Sequence, residues 1–111
     1  MIAGGGTPYL ERDGLLFTFL HSTRREHRRL DYAMAAIAVE ARPPFRVVGL
    51  TSTPIYTPEQ WVNGAWPLKI VFPMGAIRRG LDWVVSAGFN DSDVRLLQLS
   101  HDELIAHMAF Y

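Results

Sequence analysis

"FPMGAIRRGLDWVVSAGFNDSDVRLLQL", Phe72 to Leu99, is the stretch that decides the fold. It reads as two apolar arms around a charged turn, then a polar interruption and a third arm. Gly75 to Arg79 and Leu81 to Ala87 form a hairpin through Arg79-Gly80, and Val94 to Leu99 pairs next. The second arm ends in Gly88-Phe89-Asn90-Asp91, so a carboxylate stands where the chain leaves the sheet.

On its N-terminal side, Lys69 to Phe72 is a further strand, stopped by Pro73, which has no N–H to give to a ladder. On its C-terminal side, Ser100 has the features of an N-cap, with Glu103 at the capping-box spacing. A short amphipathic helix is expected from His101 to Phe110. Further upstream, Asp13-Gly14 is a hairpin-turn signal between Pro8–Arg12 and Leu15–His21 (LLFTFLH). The segment STRREHRRLD that follows is polar and strongly basic. Tyr32 to Val39 (YAMAAIAV) has four alanines, and propensity alone would allow a helix. Its shortness, its turn-like flanks and Pro43-Pro44 favour a buried strand. Arg46 to Leu50 is another strand. Thr51 to Trp66 is loop-like, with Pro54, Pro58, Asn63-Gly64 and two tryptophans.

The two hairpins repeat. Thr7 to His21 lies over Met74 to Gly88 without a gap, at an offset of 67. Short strands recurring at such a period suggest propeller blades of four strands each. A blade cannot bury both faces alone, and a propeller closes with about four or more. The chain of 111 residues holds material for about two, and is one domain or part of one.

Composition narrows the function. Apolar residues make up 49%, as in an ordinary globular chain, which argues against disorder. Lys+Arg and Asp+Glu are both 11, so there is no net charge to drive nucleic-acid or membrane-surface binding. Without cysteine there is no disulfide framework and no thiolate metal site. No apolar run approaches the roughly 20 residues of a membrane span. The start, MIAGGGTPYLERDG, lacks the basic and apolar regions of a signal peptide, so a cytoplasmic location is expected. There is no G-x-S-x-G, and Gly4-Gly5-Gly6 has neither the Lys-Ser/Thr nor the following helix of a phosphate loop. His101 and His107 lie on different helix faces, unlike an i, i+4 metal pair. No catalytic residue, metal or cofactor is assigned.

Three patches resemble the five-bladed β-propellers of the family-130 glycoside hydrolases and phosphorylases, the β-mannoside phosphorylases among them. Gly4 to His21 looks like that family's Gly-Gly-x-Pro hairpin, whose strand ends in histidine. Tyr32 to Pro58 looks like its tyrosine-led strand and the turn and strand after it. Phe72 to Leu99 looks like its last-blade Phe-Pro-x-Gly-Ala hairpin, closing on Gly-x-x-Asp. The resemblance implies an all-β chain of about two four-stranded blades, near residues 4–58 and 68–99, plus the helix 101–110. Met74 departs from the threonine usual in the phosphorylases, and Ser86 and Ala87 from two tyrosines. The ending is closer to propeller relatives joined to glycosyltransferases. The family's catalytic aspartate and phosphate arginine lie in earlier blades and have no counterpart here.

The resemblance also implies roles. Asp91, with Asn90, would hold a sugar through its hydroxyls, since a charged acceptor makes the stronger bond. An Asn-Asp turn bonded to its own backbone is the alternative. His21 would face a phosphate or water site, or else be an ordinary strand-end histidine. Arg24, with Arg25, Arg28 and Arg29 around Glu26, offers forks that match phosphate oxygens, although a solvated loop is the plainer reading. Trp61 and Trp66 are candidates for stacking on sugar rings. Trp83, Met34 and Met74 read as core, and Asp82, Asp93, Asp102 and Glu103 as surface charge.

The expectation is thus the C-terminal part of a carbohydrate-active propeller, not catalytic alone. Its partners would be a mannoside or other carbohydrate, inorganic phosphate, and missing blades or further copies of the chain. Nucleic acid and membrane are not expected. The alternative is a non-catalytic carbohydrate-binding or assembly module that completes a propeller with a partner chain. A helical or mixed regulator is a third reading.

Overall fold

Two tight turns set the register of both halves of the chain in the computed structural model, which describes residues 2–26, 29–52, 55, 69–89 and 93–111. Asp13 (φ 52°) and Gly14 (φ 80°) are both left-handed, as the favoured two-residue hairpin turn requires. They close β2 (Leu10–Arg12) onto β3 (Leu15–Glu26), with Arg12 opposite Leu15. Gly80 (φ 59°) and Leu81 do the same for β6 (Lys69–Arg79) and β7 (Asp82–Phe89), with Arg79 opposite Asp82.

The remaining strands extend these hairpins. β1 (Ile2–Gly6) pairs with the far half of β3. β4 (Arg29–Glu40) returns along the whole of β3, and β5 (Val47–Thr51) adds to β4. β8 (Asp93–Ser100) adds to β7. After helix α1 (His101–Ala106), β9 (Met108–Phe110) crosses back to pair with β5. One short parallel contact, Asp31–Tyr32 of β4 with Lys69–Ile70 of β6, joins a first sheet of β1–β5 and β9 to a second sheet of β6–β8. Among the described residues the protein is all-β but for α1, and its other strand pairings are antiparallel.

The offset of 67 holds at the level of register. Gly6 faces Leu20 as Pro73 faces Ala87, and Leu10 faces Phe17 as Ile77 faces Val84. Between those pairs each hairpin accommodates one extra residue on its first strand.

Alternation builds the core. Trp83, Val85, Ala87 and Phe89 occupy every second position of β7 and are buried. They belong to one core cluster with Phe17, Phe19, Met34, Ala36 and Ala38 of the first sheet. The Trp83 ring lies 5.6 Å from Phe17 and 5.5 Å from Phe19. The alanines of β4 leave room for these rings. Each large side chain buried there contributes about 1.5–3 kcal/mol. The opposite face of the second sheet is different. Val84 is half-buried, while Ile77, Val94 and Leu96 are 60%, 67% and 74% exposed.

Four expectations need correction. Pro73 does not stop a strand. β6 runs through it with a bulge between Pro73 and Gly75, which takes up a residue that cannot donate to the ladder. Met74, expected in the core, sits at this bulge and is 46% exposed. The basic segment is not a loop, because β3 continues to Glu26 and β4 starts at Arg29, with those two residues paired. The helix ends at Ala106 rather than reaching Phe110, because Met108–Phe110 finds an open edge on β5. Gly49 makes that edge usable, since a Cβ there would lie 2.8 Å from the Phe110 ring. The expected N-cap is present, with the Ser100 hydroxyl accepting from the Glu103 N–H at 3.3 Å.

Candidate functional site

His21 lies on β3, between Gly4 of β1 and Met34 of β4. It is half-buried, and its Nδ1 is 2.7 Å from the Gly5 carbonyl. Its ring stacks on Phe72 at 4.5 Å, with 26° between the planes. Phe72 in turn pairs in register with Gly88, near the end of β7. Through Phe72, therefore, His21 of the first sheet meets the end of the second sheet where the chain proceeds to Asn90 and Asp91. Asn90 and Asp91 themselves lie outside the described residues. They belong to the link between Phe89 and Asp93, which pair with each other.

Phe72 is the member of this group that sequence reasoning missed. It stood in the quoted stretch, but a strand-end phenylalanine carries no sign of what it will stack on. Arg24 occupies a β3 position opposite Asp31, so its backbone belongs to a strand. Trp61 and Trp66 lie outside the described residues. Trp83 is in the core, as its position in a strand suggested, and Met34 is fully buried.

A second polar group occupies the other end of the β7–β8 pair. Arg12 is buried and donates to the carbonyls of Gly80 at 2.8 Å and Asp82 at 3.1 Å. Its guanidinium lies 5.3 Å over the Trp83 ring. The Trp83 indole N–H donates to His101 Nδ1 at 3.0 Å, and His101 Nε2 is 3.4 Å from an Asp13 carboxylate oxygen. Burial first, and then the nearby Arg12 charge, lower the His101 pKa from 6.5, against the carboxylates of Asp13 and Asp102. Arg78 donates to the Glu11 carbonyl at 2.9 Å, a second tie between the hairpins.

A cavity of about 290 Å³ lies beside α1, lined by Ile55, Gln98, Leu99, Ser100, Glu103, Leu104 and His107. It is at the end of β8 away from Asp93. His107 Nδ1 is bonded to the Glu103 carbonyl at 2.8 Å. No group of three or more potential metal ligands gathers among the described residues. No helix among them is long and apolar enough to cross a membrane.

Comparison with known protein families, curated proteins and solved structures found no match.

Proposed function

We propose that the chain is part of a carbohydrate-active β-propeller and supplies one side of a sugar-binding rim. The observation that carries this reading is the His21–Phe72–Gly88 junction. It draws together the two chain segments that the family resemblance marks as sugar- and phosphate-facing. On this reading Asp91 and Asn90 accept and donate hydrogen bonds to sugar hydroxyls. Phe72 gives an apolar ring face to a sugar, and His21 stands at the phosphate or water side. The chain has no counterpart of the family's catalytic aspartate, so it binds without cleaving. The cytoplasm is the compartment proposed for it.

Titration calorimetry with a mannoside, with and without inorganic phosphate, tests the reading. Asp91→Asn removes a charged acceptor and is expected to weaken binding at least tenfold, about 1.4 kcal/mol. His21→Ala is expected to lessen the effect of phosphate. A chain that binds no mannoside at millimolar concentration, alone or joined to further blades, overturns the sugar assignment.

A second reading, an assembly module, is favoured by the uncovered face of the second sheet. In the first sheet, Phe17 and Phe19 pack on the second sheet. Their counterparts at the offset of 67, Val84 and Ser86, belong to the face that carries Ile77, Val94 and Leu96. A further sheet laid on that face would continue the stack by the same step.

A further inference from the structure

His101 is held at four points that belong to different parts of the chain. Its Nδ1 accepts from Trp83 of β7, and its Nε2 faces Asp13 in the first hairpin turn. Its backbone N–H donates to the Leu81 carbonyl, in the second turn, at 3.0 Å. Its ring stands edge-on to Phe17 of β3, centroids 5.3 Å apart. An indole N–H can only donate, so Nδ1 must offer a lone pair. The single ring proton of the neutral form therefore sits on Nε2, toward the Asp13 carboxylate.

We propose that His101 is a pH-operated latch, closed while its ring is neutral, that fastens helix α1 and strand β9 to the two hairpin turns. A proton added to the ring goes to Nδ1. An N–H then faces the Trp83 N–H, and their hydrogen bond is lost. The cation so formed is 7% exposed and shares its surroundings with Arg12. The charged groups acting on the ring are Arg12 and Asp13 from the first hairpin and Asp102 from α1 itself. Trp83 and Phe17 present uncharged groups from β7 and β3. The two carboxylates favour the proton, while burial and Arg12 oppose it more strongly. Opening the latch frees the start of α1, whose Leu104 is buried, and after it the Met108–Phe110 pairing with β5. The proposal stands on this cluster and is independent of the sugar reading.

Nitrogen-15 NMR of the indole N–H tests it, in a Trp61→Phe, Trp66→Phe background so that Trp83 alone reports. Between pH 8 and pH 5 the Trp83 signal is expected to move with a midpoint below 6.5, with amide exchange at Met108–Phe110 rising in parallel. His101→Asn keeps an acceptor near the Nδ1 position but cannot titrate, and is expected to abolish both changes. Asp13→Asn suits the left-handed turn position and removes a carboxylate that favours the proton, so it is expected to lower the midpoint. A Trp83 signal constant over this range overturns the latch. So does an Asp13→Asn midpoint equal to that of the unaltered chain, which keeps the test decisive if His101→Asn does not fold.

Discussion

Arg12 joins the two halves of the molecule by a single side chain. Its fork takes the Gly80 and Asp82 carbonyls across the second hairpin turn, and it is 5% exposed. Hydrogen bonds from a charged donor contribute about 1.5–3 kcal/mol each, and unpaired buried acceptors are costly. Arg12→Met is therefore expected to destabilise the chain by roughly 3 kcal/mol, read as a lower urea midpoint. The same change has a pH signature. The lowered His101 pKa means that the unfolded chain takes up a proton at higher pH than the folded one. The associated stability is present above pH 6.5 and is lost as pH falls through the folded value. Without Arg12 the folded pKa rises toward its ordinary value, so acid is expected to cost Arg12→Met less stability than it costs the unaltered chain. None of this could be read locally. The sequence shows an arginine beside a turn and a histidine after a helix cap. The groups that bury them come from distant positions. His21 was singled out by resemblance to a strand that ends in histidine, although β3 runs on to Glu26, and nothing local announced its Phe72 partner.

At the scale of elements, turns and caps were readable because their physics lies within a few residues. Asp13-Gly14 and Ser100–Glu103 are such cases. Ser100→Ala is expected to lower stability by about 1 kcal/mol in urea titration, the usual effect of losing an N-cap. β9 was unreadable for the opposite reason. Three residues have no strand tendency strong enough to announce themselves, and Met108–Phe110 is a strand because β5 offers an edge. Gly49→Ala tests that dependence. Its Cβ would meet the Phe110 ring at 2.8 Å and the Ala38 side chain at 3.3 Å. Fast amide exchange confined to Met108–Phe110, with the β3–β4 pairing still protected, is the expected outcome. Pro73 misled because a proline is judged from sequence as a stop, whereas a bulge lets a strand carry one.

For the whole molecule, the repeat was the most informative signal in the sequence. It foretold two hairpins with turns at equivalent places, and the register agrees from the Gly6–Leu20 and Pro73–Ala87 pairs up to the turns. What it could not convey is which face of each sheet meets the other, since Ile77, Val84, Val94 and Leu96 put apolar groups on the face opposite Trp83, Val85 and Leu97 as well. The answer leaves Ile77, Val94 and Leu96 uncovered on the second sheet. An exposed apolar sheet face promotes association. Light scattering is expected to show a mass that grows with concentration for the unaltered chain. Ile77→Lys with Leu96→Lys is expected to return it to a monomer, with thermal stability within about 0.5 kcal/mol because neither residue is in the core. A monomer at every concentration would show that the face tolerates water.

The β5–β9 pairing also has a consequence in time. A ribosome delivers β5 early and its partner only after the whole second sheet has emerged. Until then the β5 edge stays open, at the stage when unpaired edges are most exposed to the wrong neighbour. The first sheet is therefore finished by the tail of the second, and the two mature together rather than in succession.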